Sequence, residues 1–232
     1  LDSRTGARVI DTAGRHGLQS ITVSQNGENA NIEADCLAVT GGWNPTVHLT
    51  CHMNGRPAWR EDIAAFVPVA GMIPTLEAAG ACNGAFSTAA CLREGAQAAS
   101  RVVEALGGSA RVELPEAEDA TYNIEPLWAV AGKGRAWLDF QNDVSVKDVK
   151  QAAVENFRSV EHMKRYTTQG MATDQGKNSN VGALAVLADA TGRGIPETGV
   201  TTFRPPYSPV AIAALGAGAQ GKGFAPARLT TS

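Results

Sequence analysis

The feature that most constrains the fold is a glycine-rich turn followed by a helix of mostly small residues. The turn is Gly80-Ala81-Cys82-Asn83-Gly84, and the pattern after it predicts a helix over residues 85–106 that ends at Gly107-Gly108. A helix so rich in alanine can pack very close to a sheet or a cofactor. Its N-terminus offers free N–H groups and partial positive charge to a phosphate or carboxylate, but plain helix–sheet packing explains the pattern equally well.

The segment before this helix has the pattern of an α/β domain. Alternating apolar residues on both sides of Asn26-Gly27 predict a hairpin. Cys36-Leu37-Ala38-Val39 is a short continuous apolar run, which predicts a strand covered on both faces. The glycines of Thr40-Gly41-Gly42-Trp43-Asn44-Pro45 then allow a sharp turn or the close approach of a ligand. Residues 1–110 are therefore predicted to be the C-terminal part of an α/β domain.

Two polar or flexible segments divide the rest of the chain. Residues 111–135 are rich in acidic residues and proline, which predicts a solvated linker rather than a site. The stretch from Thr201 to Ser232 is rich in Gly, Ala and Pro and has the composition of a tether. Residues 136–208 are assigned to a small helical domain, and residues 209–232 to a tail.

Capping signals predict three helices in the domain at residues 136–208. Ser145-Val146-Lys147-Asp148 has the spacing of a capping box, and Ser159 can cap a second helix. A third helix is predicted over residues 180–190, closed by Gly192. Met163 is expected in the core of this domain and His162 on its surface.

Charge and composition exclude several functions. With a net charge of -3 and no basic block, the chain lacks the footprint of a nucleic-acid groove. No apolar run approaches the length that crosses a membrane. Only His48, Cys51 and His52 form a local group of metal-ligand types, and we interpret them as residues of a polar loop. We find no catalytic motif and no complete dinucleotide-binding turn, so we predict neither a catalytic residue nor a metal site.

Long motifs in the chain give it a family resemblance. Residues 129–206 closely resemble the α subunit of heterotetrameric sarcosine oxidase, as do residues 38–45 and 80–95. The most specific segments are Ala136-Trp137-Leu138-Asp139-Phe140-Gln141-Asn142-Asp143-Val144 and Gly170-Met171-Ala172-Thr173-Asp174-Gln175-Gly176-Lys177. The α subunits of that family are much longer, and the chain does not begin with Met. We therefore expect a central fragment, which follows the first phosphate-binding turn and precedes a folate-binding domain.

The resemblance implies a fold and a cofactor. Residues 1–110 would be part of a two-dinucleotide-binding domain of the FAD/NAD reductase type, and Ala81, Phe86 and Thr88 match positions that border NAD. The loop at residues 40–45 matches the family's second glycine turn, which closes over the dinucleotide. Flavin reductases of this fold carry Gly-Asp where this sequence has Gly80-Ala81, so the resemblance favours a quiescent NAD over a catalytic flavin.

The helical unit also resembles the small [2Fe–2S] domain of bacterioferritin-associated ferredoxin. By that register the four cluster thiolates are replaced by Asp139, Gln141, Asp174 and Ser179. Because such clusters need thiolate ligands, we expect none here. We interpret the unit as a structural relic that packs between the NAD and folate domains.

The family resemblance further implies an activity, partners and a location. Sarcosine would be oxidatively demethylated to glycine, with O2 as the final acceptor, H2O2 as a product, and the methyl carbon released as formaldehyde or methylene-tetrahydrofolate. The β, γ and δ subunits would carry FAD, FMN and zinc, the missing C-terminal domain would bind tetrahydrofolate, and the enzyme would be cytoplasmic. This chain would supply one wall of the NAD site and part of the scaffold.

Two alternatives remain open from the sequence. The chain could be a fragment of a related FAD/NAD-dependent dehydrogenase subunit acting on an opine or hydroxyproline, although those relatives usually keep the cluster cysteines. It could also be a non-catalytic assembly module. As an isolated stretch it is expected to be inactive, and residues 1–110 are expected to self-associate or to be partly disordered, because half of a nucleotide domain exposes apolar faces.

Overall fold

The computed structural model describes residues 3–132 and 134–216, which form a mixed α/β fold with three small antiparallel sheets. The first sheet contains, in order, β1 (Arg8–Ala13), β2 (Ser20–Gln25) and β3 (Glu28–Glu33). Asn26 and Gly27 turn the chain between β2 and β3 with positive φ angles of 52° and 85°. The predicted hairpin is confirmed, and β1 adds a strand that the sequence pattern did not predict.

The prediction of a strand at residues 36–39 is wrong. Residues 34–47 contain neither helix nor strand, and Val39 is 82% exposed. A continuous apolar run becomes a buried strand only where neighbouring strands satisfy its backbone N–H and C=O groups. Within the described residues no strand pairs with this run, so it crosses the surface in an irregular conformation.

The middle of the chain contains short elements and one long helix. They are α1 (His48–His52), the antiparallel pair β4 (Ala58–Arg60) and β5 (Ala65–Val67), a 3-10 turn (Gly80–Asn83) and α2 (Thr88–Ala105). The helix α2 begins three residues later than predicted because Ser87 adopts an extended conformation. Its hydroxyl accepts a hydrogen bond from the Ala90 N–H at 3.1 Å and caps the helix.

The predicted caps of the C-terminal helices are confirmed. The elements here are β6 (Trp137–Asp139), β7 (Val144–Ser145), α3 (Val146–Val154), α4 (Val160–Thr167), α5 (Asn180–Thr191), α6 (Ile195–Thr198) and α7 (Ile212–Leu215). Ser145 and Asp148 form the capping box of α3, and Ser159 caps α4 by accepting from the His162 N–H. Gly192 ends α5 in the left-handed conformation.

The main core surrounds α5, which is buried over residues 183–188. Met163 lies in this core and His162 is exposed, as predicted. Phe66 of β5 also packs into it, so a residue of the first half contributes to the core of the helical half. The buried members are Phe66, Val144, Val149, Ala152, Ala153, Val160, Met163, Ala183, Leu184, Val186 and Leu187.

The tether prediction is wrong for its first residues. Thr201 and Phe203 are buried, and Phe203 forms a second small core with Val47 and Cys51. Burial of an aromatic ring against an apolar surface is favourable enough to order a segment whose composition predicts flexibility. Residues 217–232 of the predicted tail lie outside the described residues. Among those described, no helix has the length and apolar character needed to cross a membrane.

Candidate functional site

The turn Gly80–Asn83 and the start of α2 form the first part of the candidate site. Gly80 and Gly84, at the two ends of the turn, have positive φ angles of 72° and 84°. The Glu94 carboxylate on α2 accepts hydrogen bonds from the Gly80 N–H at 2.9 Å and from Asn83 Nδ2 at 3.1 Å. These two bonds tie the turn to the helix, so α2 sets the position of Ala81.

The three residues predicted to border NAD lie on this turn and at the start of the helix. Ala81 and Thr88 are exposed. Phe86 is half-buried and packs against an apolar cluster formed by Ile63, Ala65 and Val67. The exposed methyl of Ala81 and the exposed hydroxyl of Thr88 leave both side chains accessible to a ligand. Their role in binding NAD stays a prediction.

The N-terminus of α2 has an anionic partner from this chain. The Ser87 hydroxyl donates to one oxygen of Asp119 at 2.5 Å, and Arg93 contacts the other oxygen at 3.0 Å. The Ser87 hydrogen bond, with the help of Arg93, lowers the pKa of the Asp119 carboxyl. The preference of this helix end for negative charge, expected from its dipole, is therefore met by Asp119.

The loop at residues 40–45 reaches the same region through Tyr122. The Trp43 N–H donates to the Tyr122 hydroxyl at 3.2 Å, and the Tyr122 ring lies 4.5 Å from the Phe86 ring between centroids. Gly42 has a φ of 82°, and a Cβ there would lie 2.8 Å from the Tyr122 hydroxyl. The structure thus connects the two predicted NAD-binding segments through a residue of the connector.

Residues 118–124 of the predicted linker, which we call the docked connector, are mostly exposed but make specific contacts with the candidate site. The Glu118 carbonyl accepts from the Ala89 N–H at 3.1 Å, next to the Asp119 contact with Ser87. Sequence reasoning missed these contacts because an acidic, exposed composition gives no indication of specific partners. A weak signal was present, since half-buried Tyr122 and Ile124 alternate with exposed neighbours.

A partly open pocket of about 90 Å³ lies beside the turn, lined by Met72, Leu76, Asn83 and the Glu77–Arg101 ion pair. Pockets that hold cofactors usually measure roughly 300–1,000 Å³, so this cavity is too small for a dinucleotide. A dinucleotide that touches Ala81 and Thr88 would instead lie against the open surface of the described residues.

Asp139, the first position aligned with a cluster ligand, is a buried and hydrogen-bonded carboxylate. It is 2% exposed, and Oδ1 accepts from the N–H groups of Gln141 at 2.9 Å and Asn142 at 3.2 Å. Oδ2 accepts from the Gly170 N–H at 2.8 Å. One side chain thereby joins the loop after β6 to Gly170.

The other three aligned positions also make polar contacts within the domain. Gln141 Oε1 accepts from the Thr173 hydroxyl at 3.3 Å, and Asp174 accepts from the N–H of Gly176 at 3.1 Å. The buried Ser179 hydroxyl accepts from Gln169 Nε2 at 2.7 Å. These side chains fit a purely protein-built junction, while the likeness to a ferredoxin domain stays a prediction.

The group around His48 differs from its sequence interpretation. His48, Thr50 and Cys51 are buried on the short helix α1 rather than placed on a polar loop. Burial, with nearby Lys177 and His52, lowers the pKa of His48 from 6.5 to about 4. Burial also raises the pKa of the Cys51 thiol. Across residues 3–132 and 134–216, no group of three or more His, Cys, Asp or Glu side chains could hold a metal ion.

Comparison with known proteins shows a strong similarity to one family. The sequence profile of the sarcosine oxidase A3 domain matches residues 133–219. The chain is 43% identical over 226 residues to the sarcosine oxidase α subunit of Rhizobium meliloti (strain 1021), and 38% identical over 244 residues to that of Corynebacterium sp. (strain P-1). These matches cover 96% and 97% of this chain but only 23% and 25% of the relatives. The chain spans about a quarter of the length of these relatives.

A solved structure shares the fold. L-proline dehydrogenase from P. horikoshii superposes with a TM-score of 0.66, over 89% of this chain and 44% of that chain. Because the sequences are only 18% identical, this likeness concerns the fold alone. It agrees with the mixed α/β class expected from the sequence.

Proposed function

We propose, from the premise that this chain belongs to the sarcosine oxidase α-subunit family, that it is the central part of such an α subunit. The complete enzyme would be a heterotetramer that demethylates sarcosine to glycine with O2 as the final acceptor. H2O2 is the second product, and the methyl carbon leaves as formaldehyde or as methylene-tetrahydrofolate. The resemblance of the sequence to this family is confirmed, and the activity of the assembled enzyme is our proposal.

One observation carries the proposal: sequence identity of 43% that extends over 96% of the chain. Identity at this level over both the α/β part and the helical part is not explained by a shared fold, since the L-proline dehydrogenase fold is matched at 18%. The match to the A3 domain supports the same assignment for residues 133–219.

Within this enzyme the chain would provide one wall of an NAD site. Ala81 and Thr88 are accessible at the turn and at the start of α2, and the half-buried Phe86 lies between them in sequence. NAD is a hydride carrier in general, but we propose that here it is held without turnover. The proposed role of these residues is to bind and orient it, and the small side chain of Ala81 would allow its close approach.

The remaining cofactors are assigned to other parts of the enzyme. In the proposal FAD, FMN and zinc belong to the β, γ and δ subunits, and tetrahydrofolate belongs to a further domain of the α subunit. The residues described here contribute scaffold, and none of them is proposed as catalytic. The buried polar junction around Asp139 suits this role, because it fixes loops without exposing a reactive group.

Native purification of the gene product that carries this sequence tests the proposal. Mass spectrometry would identify the copurifying chains, and an absorption spectrum would be recorded. The enzyme would then be denatured, and the released cofactors would be identified. We expect three further subunits, with NAD and neither iron nor flavin in the chain that holds this sequence. A [2Fe–2S] spectrum or FAD in that chain would instead support an opine or hydroxyproline dehydrogenase, and copurification of partners without any nucleotide would support an assembly module.

A substitution at the turn tests directly whether it forms a wall of the NAD site. Ala81→Glu adds bulk and negative charge where an anionic dinucleotide would approach, so we expect NAD to be absent from the purified enzyme. Ala99→Glu adds the same side chain at an exposed position farther along α2 and should leave the NAD content unchanged. Full NAD content in the Ala81→Glu enzyme would contradict the assignment.

A further inference from the structure

The docked connector, residues 118–124, contacts both segments that are proposed to bind the nucleotide. It meets α2 through the Glu118 carbonyl, which accepts from the Ala89 N–H at 3.1 Å, and through Asp119, which accepts from Ser87 at 2.5 Å. It meets the 40–45 loop through Tyr122, whose hydroxyl accepts from the Trp43 N–H at 3.2 Å. The docked connector, which is distant from both in sequence, therefore bridges α2 and the 40–45 loop.

The loop at residues 40–45 has no regular structure to hold it. Residues 34–47 contain neither helix nor strand, and Trp43 is 70% exposed. An irregular loop of this length loses considerable conformational entropy when it adopts one position, so specific contacts must fix it. The hydrogen bond from Trp43 to Tyr122 is such a contact.

The geometry at Gly42 indicates that this contact is built into the loop. Gly42 has a φ of 82°, and a Cβ at this position would lie 2.8 Å from the Tyr122 hydroxyl and 3.1 Å from Ile124 Cδ1. Glycine adopts this backbone conformation without strain and leaves room for the close approach of the connector. The loop backbone and the docked connector are therefore fitted to each other.

The Tyr122 ring supplies the second half of the bridge. It packs against Phe86 with a centroid distance of 4.5 Å, and both rings lie on the cluster formed by Ile63, Ala65 and Val67. The ring is thus anchored beside α2, and the hydroxyl at its far end reaches the loop. Its two contacts set the distance between Trp43 and Phe86.

We propose that Tyr122 is a positioning residue of the NAD site, which holds the 40–45 loop at a fixed distance from Phe86 and Thr88. The inference rests on the proposed NAD function. Tyr122 itself need not touch the nucleotide, since it acts on the loop that would close over it. Loss of its hydroxyl frees the loop, so the bound arrangement becomes a smaller fraction of the population and the apparent affinity falls.

Tyr122→Phe tests the proposal because it removes the hydroxyl and keeps the ring on Phe86. In the complete subunit assembly, stripped of nucleotide, we expect the Kd for NAD to rise about 3- to 10-fold, which corresponds to the loss of one hydrogen bond. Hydrogen exchange at the Trp43 amide should become faster, while amides of α5 should not change. Tyr166→Phe is the matched control, because it removes a hydroxyl that donates to Glu155 at an exposed site on α4.

The outcomes separate this inference from the proposed function. If the unmodified assembly binds NAD and Tyr122→Phe binds it equally well or more tightly, the positioning role is wrong and the NAD assignment stands. Weaker binding without faster exchange at Trp43 would also overturn the role. If the unmodified assembly does not bind NAD at all, both proposals fail.

Discussion

The imidazole of His48 lies 3.8 Å from the phenyl ring of Phe203 between centroids, with the two planes tilted by 40°. His48 is on α1 in the first half of the chain, and Phe203 follows the last helix of the main core. Phe203 is 5% exposed and contacts Cys51 on the same short helix and Val47, which precedes it. This aromatic pair fastens the end of the helical half to the α/β half.

Removal of the Phe203 ring should therefore destabilise the protein. We expect Phe203→Ala to lower the free energy of unfolding by about 3–4 kcal/mol, since it leaves a cavity in a packed core. Phe140→Ala is the matched control, because Phe140 is 79% exposed and its loss should change stability by less than about 0.5 kcal/mol. Urea unfolding of both variants measures the difference, and equal effects would show that Phe203 does not join the two halves.

His48 should make the protein sensitive to acid. Its folded-state pKa is about 4, below the ordinary value of 6.5, so protons bind more readily to the unfolded chain. The contribution of neutral His48 to the free energy of unfolding is complete above about pH 6.5 and is lost as the pH falls toward 4. With about 1.4 kcal/mol for each pKa unit, the loss can reach ~3 kcal/mol. His48 is 4% exposed, so solvent does little to reduce this effect.

A pair of histidine variants isolates this contribution from the carboxyl groups that titrate in the same range. His48→Gln removes the titrating group, and its free energy of unfolding should fall less steeply than that of the unmodified chain between pH 6.5 and 4. His16→Gln replaces an exposed histidine and should retain the original slope. Parallel curves for all three proteins would contradict the assignment to His48.

Local features of the fold could be predicted from the sequence, and contacts between distant segments could not. The capping box at Ser145 and the left-handed end of α5 at Gly192 depend on residues within one helical turn. The run at residues 36–39 has the composition of a buried strand, but strand formation depends on partners elsewhere in the chain. Composition alone therefore predicted the wrong structure there.

The same distinction between local features and contacts of distant segments applies to the candidate site. Ala81 and Thr88 were predicted from a resemblance in a continuous stretch of sequence, and the turn that carries Ala81 was visible as a glycine pattern. Tyr122 was missed because its partners, Trp43 and Phe86, lie 79 and 36 residues away in sequence. A single aromatic residue in a polar connector gives little indication of which surface it will cover.

Asp139 should be essential for stability rather than for chemistry. Asp139→Asn replaces a carboxylate that accepts three backbone N–H groups with an amide that turns an NH2 toward at least one of them. We expect a loss of about 2–4 kcal/mol in the free energy of unfolding, because these bonds are charge-assisted and buried. Asp143→Asn, at an exposed position with a φ of 53° that asparagine tolerates, should have little effect. Thermal unfolding of the two variants would compare them, and similar melting temperatures would contradict the role of Asp139.

The glycine turn of the candidate site offers a test in which backbone strain and steric conflict are separated. Gly84 and Gly27 have nearly the same φ, 84° and 85°, so an alanine at either position carries a similar backbone cost of about 1 kcal/mol. At Gly27 the added Cβ meets no atom within 4 Å, whereas at Gly84 it would lie 2.7 Å from Ile63 Cδ1 and 3.0 Å from Val67 Cγ1. Gly84→Ala should therefore cost about 2 kcal/mol more than Gly27→Ala, since the apolar cluster under Phe86 must move. Urea unfolding gives both values, and equal costs would mean that the turn is not packed against this cluster.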